Sequence, residues 1–317
     1  MRQVELAPGV FHLQGGSNMG LIVRDGQGLL VDAGLDKDAA RQALRAADEA
    51  GVTLEAVFLT HAHADHFGGA HVLQQRLGLP LYAPALEAAM MENPILEPLY
   101  LFGGAAPIAE LRRKFTLAQP CRIDYVVSVV ATSVAPSART TTKVVTTNRL
   151  LEIGPFRVEV VPLPGHAPNQ VGVGVGEVLF CADAVFPAET LEKHKLTFCV
   201  DLDETLATLQ RLPELPYARF VPGHGPTYGA GDEIAGVCAA NRERLEEVRG
   251  LVVASLTDPQ ETPALVRQVA DHFGLHLATA TAYFLTRTTV LAALSSLERA
   301  GEVNVVMEGN RLLWRQA

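Results

Sequence analysis

Two patterns of apolar residues alternate along the chain, and together they predict strands and helices in turn. Short apolar runs on either side of Asp25-Gly26 predict a hairpin within residues 2–32. Residues 36–50 instead carry alanine and leucine at helical spacing, and Gly51 stands where such a helix would end. Further strands are predicted at 56–60, 79–82, 150–153, 156–163, 171–175, 177–182 and 219–221, and further helices at 68–77, 204–212 and 232–249. Two strand-rich halves with helices between them predict a layered α/β sandwich.

Residues 84–148 interrupt this alternation. Helical spacing at 87–91 and 109–115 is broken by prolines and glycines, and a stretch rich in Thr, Val and Ser at 126–147 is typical of strands or of a mobile extended arm. We interpret 84–148 as an insertion that covers a site or forms a subunit interface, which would make the protein a homodimer. A plain surface excursion is the alternative.

The C-terminal residues 257–317 follow a different pattern from the rest of the chain. They predict three helices and then a hairpin, at 262–273, 278–285, 288–300, 303–307 and 311–314. Three helices and a two-stranded wing resemble a winged helix-turn-helix, so we expect domains at 1–256 and 257–317. Basic and acidic residues nearly balance in the second domain, whereas a DNA-reading helix carries a clearer basic face. We therefore expect this domain to pack against the first, with nucleic-acid binding as the alternative.

Composition places this 317-residue chain among ordinary globular proteins, with 48% hydrophobic and 19% charged residues. A formal net charge of -9 repels phosphate backbones and disfavours nonspecific nucleic-acid binding. The four cysteines are scattered without a Cys-x-x-Cys pair, which is typical of buried thiols in a reducing compartment rather than of a thiolate zinc site. The N-terminus shows no apolar signal core, and no stretch approaches the ~20 apolar residues that span a bilayer. We therefore expect a cytoplasmic protein that does not bind membranes.

The most informative motif is a cluster of potential metal ligands directly after the predicted strand at 56–60. It consists of His61, His63, Asp65 and His66. Imidazole and carboxylate are ligands that divalent zinc and iron prefer. A tight loop at the end of a strand would bring these side chains to one point, whereas an ordinary polar loop would leave them facing water. The close spacing favours the metal site.

Three more candidate ligands follow, each at the end of a predicted strand: His166, Asp183 and His224. Taken singly, a histidine beside glycine is usually a turn residue, and an aspartate after a strand is usually a turn former or a helix cap. Together with the first cluster they indicate a metal centre that is assembled from several strand ends.

The whole set resembles the metallo-β-lactamase superfamily, whose members carry His-x-His-x-Asp-His and a later His, Asp and His. Leu30-Val31-Asp32-Ala33-Gly34 also resembles the strand that ends in an aspartate in that family. The resemblance covers residues 4–250, apart from much of 84–148, and implies an αββα sandwich with a metal site at one edge of its two sheets. With its small C-terminal domain the chain is similar to the glyoxalase II-like and lactamase-beta-like-2 groups, whose members hydrolyse thioesters or cleave single-stranded RNA. After His166 the sequence departs from the family pattern, so we expect a loop of different shape there.

The resemblance also implies two divalent ions, with zinc as the default and iron or manganese as alternatives. By this resemblance the first ion would be bound by His61, His63 and His166, and the second ion by Asp65, His66 and His224. Asp183 would bind both ions, and Asp32 would orient the ligands. For Asp32 the alternative is simple turn formation.

Two neighbouring dications lower the pKa of a bound water from ~15.7 towards ~7, so that hydroxide is available at neutral pH. We therefore expect a metallo-hydrolase that opens a small ester, thioester or lactone. Asp65 is the candidate catalytic residue, because it could orient the nucleophile or pass its proton to the leaving group. Candidates for holding an anionic substrate group are Lys193, His194 and Lys195, unless they form a solvated turn.

The residues leave three other functions open. An endoribonuclease or phosphodiesterase would use the same hydroxide and would need a basic groove beside the metal site. A regulatory nucleic-acid-binding protein would use the metal to sense rather than to catalyse. Redox chemistry on a single iron is disfavoured by the complete second ligand set, and β-lactam hydrolysis by Asp65 and by the missing signal segment.

Overall fold

The computed structural model describes residues 1–129, 143–147 and 149–317, which form two large sheets flanked by helices. In order across the first sheet the strands are β1 (Arg2–Ala7), β2 (Val10–Gln14), β3 (Met19–Arg24), β4 (Gln27–Val31), β5 (Thr53–Phe58), β6 (Leu81–Pro84), β7 (Tyr125–Val129) and β8 (Lys143–Thr147). Neighbouring strands are antiparallel from β1 to β4 and parallel from β4 to β8. Part of the stretch at 126–147 therefore forms strands, and the rest of it lies outside the described residues.

The second sheet is built by the next six strands along the chain. They are β9 (Leu150–Ile153), β10 (Phe156–Pro162), β11 (Val171–Val175), β12 (Val178–Ala182), β13 (Arg219–Pro222) and β14 (Tyr228–Gly229). Only β12 and β13 run parallel among the paired neighbours of this sheet in the described ranges. A separate hairpin joins β15 (Val303–Glu308) to β16 (Arg311–Gln316).

The helices are α1 (Lys37–Glu49), α2 (Ala64–Phe67), α3 (Ala70–Leu77), α4 (Ala85–Glu92), α5 (Leu96–Leu101), α6 (Ala188–His194), α7 (Leu202–Arg211), α8 (Asp232–Ser255), α9 (Thr262–His272) and α10 (Ala280–Arg299). Short 3-10 turns occur at Ala109–Arg112 and Leu212–Glu214. Helix α1 begins where the side chain of Asp36 accepts the amides of Asp38 and Ala39. Within the described ranges no helix has the length and apolar character needed to cross a membrane.

The two sheets face each other across an apolar layer. In β9 and β10 buried and exposed residues alternate, so Leu151 and Val158 point inward while Glu152 and Arg157 point to solvent. The inward residues pack against side chains of the first sheet such as Phe58. Helices α1 and α3 cover the outer face of the first sheet, and α7 and α8 cover that of the second. The layering is that of the expected αββα sandwich.

The C-terminal elements share a core with the second sheet. Buried side chains of α9, α10 and β15 belong to the same apolar cluster as Leu179 of β12 and Phe220 of β13. Residues 257–317 therefore pack directly on the helical layer above that sheet. Their division into a separate winged-helix-like domain stays a prediction.

Several predicted elements were wrong in detail. The predicted helices at 278–285 and 288–300 are one continuous helix, α10, because neither glycine nor proline interrupts the chain between them. Residues 257–317 thus contain two helices before the hairpin rather than three. The predicted helix at 109–115 is only a 3-10 turn, after which Thr116 donates back to the carbonyl of Leu111. Helices α5 and α6 were not predicted, since each is shorter than two full turns.

Candidate metal centre

All seven predicted ligands come together at one edge of the sandwich, Asp65 and His66 in the short helix α2 and the others in the loops that follow β5, β10, β12 and β13. Strands that run in the same direction end at the same edge of a sheet, which explains how residues distant in the chain meet there. Two backbone hydrogen bonds tie the sheets together at this edge. The amide of Val171 donates to Thr60 at 3.2 Å, and the amide of Asn18 donates to Gly223 at 2.7 Å.

One group of ligand atoms comes from His61, His63 and His166, and these atoms lie within 4.8 Å of one another. Nδ1 of His63 is 2.8 Å from Nε2 of His166. The two rings meet edge to face, with centroids 4.5 Å apart. Three imidazole nitrogens therefore converge on one point, which is the geometry that an N-ligated metal ion requires.

A second group comes from Asp65, His66 and His224. Oδ2 of Asp65 is 3.4 Å from Nε2 of His224 and 3.8 Å from Nε2 of His66. The hydroxyl of Ser17 donates to the same carboxylate oxygen at 2.9 Å. This group is more open than the first, because Asp65 and His224 are both partly exposed.

Asp183 stands between the two groups. Its Oδ1 is 3.3 Å from Nε2 of His66, and its Oδ2 is 3.4 Å from Nε2 of His166 and 3.6 Å from Nε2 of His224. One carboxylate thus faces imidazoles of both groups at once. That position suits a ligand shared by two cations.

The chemistry of the donor atoms fits metal ions. Nε2 of His61, Nε2 of His66 and Oδ1 of Asp183 are buried without a hydrogen-bond partner among the described residues. Buried polar atoms without a partner are costly and therefore rare. A divalent cation would satisfy all three, since each presents a lone pair to the same small space.

The outer nitrogens of the imidazoles are fixed by hydrogen bonds. Nδ1 of His166 lies 2.9 Å from the carbonyl of Phe198, and Nδ1 of His224 lies 2.9 Å from the carbonyl of Gly16. A carbonyl only accepts, so Nδ1 carries the proton in each ring and Nε2 is left free as a ligand atom.

Asp32 holds a third imidazole in the same way. Its Oδ2 lies 2.9 Å from Nδ1 of His66, and its carboxylate also accepts the amide and hydroxyl of Thr60. Asp32 takes a left-handed backbone conformation, with φ of 61°, directly after β4. This conformation is unfavourable for a residue other than glycine, and it is retained here where the carboxylate reaches His66.

Burial and nearby charges divide the pKa values of the imidazoles into two sets, and burial lowers those of His61, His63 and His166. Burial, followed by the nearby His166, lowers the pKa of His63 to about 3. Burial is the largest single effect on His224 and opposes its protonation, but Asp183 and Asp65 together outweigh it and raise the pKa of His224 to about 10. Burial likewise opposes protonation of His66, yet Asp183 and Asp65 raise its pKa well above its ordinary value. The first group therefore offers free lone pairs at neutral pH, whereas an ion entering the second group must displace protons.

Glu87 of α4 is a buried residue near the site that the sequence did not reveal. Its two carboxylate oxygens accept the amides of Ala62 and Asn169, each at 2.8 Å. These amides belong to the loops that carry the histidines of the first group, so Glu87 joins the two loops. A lone glutamate at the start of a helix normally indicates an exposed position, and only the folded structure shows its burial.

We expect Glu87→Gln to change how stability depends on pH. Burial raises the pKa of Glu87 from 4.5 to about 7, against the effect of its two backbone hydrogen bonds. Because the folded-state pKa is raised, the contribution of Glu87 to stability is complete below about pH 4.5 and is lost as the pH rises through about 7. The free energy of unfolding of the wild type should fall relative to that of the variant by about 3 kcal/mol between pH 4.5 and pH 8. Urea unfolding of chelator-treated proteins measures this difference, and a difference that is constant with pH contradicts the assignment.

A cavity of about 530 Å³ opens beside the ligand groups. Its walls come from α6, α10 and the loop at 196–198, and Asp65 lies at its surface. Lys193 and His194 of α6 line it, and burial, followed by the charge of Lys193, lowers the pKa of His194. Lys195 is not among the described residues that line the cavity, and its ammonium lies 3.0 Å from Glu192 instead.

The fold and this site together define the class of protein. The chain belongs to the metallo-beta-lactamase superfamily, whose family model matches residues 13–224. It is a metal-dependent hydrolase of that superfamily.

Individual relatives agree with the class. The chain is 24% identical over 218 residues to the probable metallo-hydrolase YqgX of Bacillus subtilis. The aligned residues cover 66% of this chain and 85% of that protein. It is 46% identical to the hydroxyacylglutathione hydrolase of Xanthomonas euvesicatoria, but over only 68 residues, or 21% of this chain and 25% of that one. The crystal structure of a metallo-beta-lactamase family protein from Thermus thermophilus superimposes with a TM-score of 0.70 at 20% identity, covering 99% of this chain and all of that one (100%). That structure shows the likeness of fold alone.

Proposed function

We propose that the protein binds two divalent metal ions and uses them to hydrolyse a small ester, thioester or lactone. The observation that carries this proposal is the position of Asp183, which faces imidazoles of both ligand groups within 3.6 Å. Zinc is the default for such imidazole and carboxylate donors, and iron and manganese are the alternatives. When bound, two such ions lower the pKa of a shared water and polarise the carbonyl oxygen of a substrate.

The chain itself would contribute binding, orientation and proton transfer. Asp65 is the ligand best placed for proton transfer, because its side chain is 29% exposed at the cavity while that of Asp183 is 6% exposed. Ser17 fixes one oxygen of Asp65 by its hydrogen bond. We propose that Asp65 accepts the proton of the attacking water and returns it to the leaving group.

The cavity favours a small substrate over a polynucleotide. Its volume of about 530 Å³ lies in the range of small-molecule sites. The described lining includes Phe115, Phe186 and Leu285, and Lys193 is its only lysine or arginine. A phosphodiester backbone calls for a run of cationic side chains, and the described lining lacks one. Lys193 is the candidate to hold one anionic group of a small substrate.

The test combines metal content with a substrate panel. Protein purified without chelator would be assayed for metals per chain and offered a thioester, a lactone, an aryl ester, a bis-aryl phosphodiester and single-stranded RNA. Two ions per chain and turnover of a carbonyl substrate are expected, with at least about 100-fold loss in Asp65→Ala and none in the exposed Asp258→Ala. Turnover confined to the phosphodiester or RNA would replace this proposal by a nuclease. A single iron, or two ions without any turnover, would replace it by redox or sensing.

A further inference from the structure

A buried hydroxyl of the C-terminal helix α10 is hydrogen-bonded to a loop that contacts one of the predicted ligands. Thr289 of α10 is 1% exposed. Its Oγ1 donates to the carbonyl of Thr197 at 3.2 Å and accepts the amide of Cys199 at 3.4 Å. A single side chain thus holds the loop on both sides of Phe198.

The peptide unit between Phe198 and Cys199 connects this hydroxyl to a ligand. A peptide unit is planar and rigid, with its carbonyl and its amide pointing in opposite directions. The amide end of this unit, Cys199 N–H, is bound by Thr289, and the carbonyl end, Phe198 O, accepts Nδ1 of His166 at 2.9 Å. Rotation of the plane would break both hydrogen bonds together, so the hydroxyl fixes the orientation of the imidazole.

The same helix anchors the chain just beyond this loop. Arg299 of α10 binds Asp201 at 3.0 Å and Asp203 at 2.6 Å. Asp201 is the residue at which α7 begins, since its side chain accepts the amides of Asp203 and Glu204. Helix α10 therefore contacts the loop at 197–199 through the buried Thr289 and the start of α7 through Arg299 and Ser296, whose hydroxyl also donates to Asp203.

We propose that Thr289 is a positioning residue of the metal centre, which acts on His166 through the 198–199 peptide. The proposal rests on the proposed function, because it takes His166 to be a ligand of the first ion. It makes the C-terminal segment a structural part of the site, although none of the predicted ligands lies there. Hydrogen-bond partners of metal-bound histidines typically contribute 10–100-fold to metal affinity.

Metal affinity tests the proposal without any substrate. Zinc would be titrated in competition with a chromophoric chelator into wild type, Thr289→Val, Thr289→Ser and Thr288→Val. We expect Thr289→Val to bind one of two ions about tenfold more weakly. Thr289→Ser keeps the hydroxyl and should stay within about twofold of wild type. Thr288→Val is the matched control, because among the described residues the hydroxyl of Thr288 bonds to its own helix alone.

The other outcomes of the zinc titration separate failure of the positioning role from failure of the proposed function. If wild type binds two ions and Thr289→Val binds both with wild-type affinity, the positioning role is wrong while the proposed function stands. If wild type binds none, the proposed function itself fails. Should Thr289→Val not fold, hydrogen exchange of the Cys199 amide in wild type provides the answer, since coupling between two sites is reciprocal. Zinc should slow that exchange by about tenfold relative to chelated protein, and an unchanged rate would overturn the proposal.

Discussion

Replacing Asp183 by asparagine should reduce the metal content from two ions per chain to one or none, and lower turnover on the order of 10³-fold. Asparagine has almost the same shape as aspartate, so the expected loss comes from the charge. Asp183 is buried within 3.6 Å of three imidazoles, and its negative charge is shared by both ligand groups. Without that charge two neighbouring dications would repel each other with less compensation.

Elemental analysis and steady-state kinetics on the best substrate of the panel measure this effect. Asp48→Asn is the matched control, because Asp48 is an exposed residue of α1 and should behave as wild type. Two ions per chain in Asp183→Asn, with turnover within tenfold of wild type, would contradict the bridging role and leave two independent mononuclear sites as the better account.

Gly223→Ala should damage the site nearly as much as loss of a ligand, although glycine carries no donor atom. A Cβ at position 223 would lie 2.0 Å from Oδ1 of Asp183 and 2.7 Å from Cε1 of His66. Contacts this short force one of the two side chains to move. Since both belong to the predicted ligand set, we expect at least about 100-fold loss of turnover and weaker binding of one ion.

Gly236→Ala is the control for Gly223→Ala. Gly236 lies in α8, is exposed, and has nothing within 4 Å of its added Cβ. Alanine is the better helix former, so this variant should gain about 0.5–1 kcal/mol of stability and keep full activity. Metal titration and thermal unfolding of both variants separate the two effects. Wild-type metal affinity in Gly223→Ala would show that the loop relaxes without cost.

The convergence of the seven candidate ligands could be predicted from the sequence because four of them are closely spaced and all seven are of chemically specific types. His61, His63, Asp65 and His66 lie within six consecutive residues, and His166, Asp183 and His224 each follow an apolar strand. Such strands end at a common edge, so the sequence also indicates that the side chains meet. The alternation of apolar runs predicted a layered α/β sandwich, and the resemblance to the superfamily predicted its αββα form.

The roles of other residues could not be predicted from the sequence, because they depend on contacts between distant parts of the chain. Glu87 binds the amide of Asn169, which is 82 positions away, and Thr289 binds loop residues some 90 positions earlier. Nothing about a glutamate or a threonine on a helix signals such partners. Lys195 shows the opposite case. Its position in the sequence predicted a substrate contact, but its ammonium pairs with Glu192 and it is not among the described residues that line the cavity.

The apolar cluster shared by the second sheet and the C-terminal helices bears on how such a protein can evolve. Val266, Val290 and Leu297 pack in the same core as Leu179 and Phe220. Recombination that exchanged residues 257–317 for an unrelated segment would uncover that core and remove Thr289 from the His166 loop in one event. The C-terminal segment and the hydrolase core should therefore be inherited as one unit, with compensating substitutions on the two sides of their shared surface.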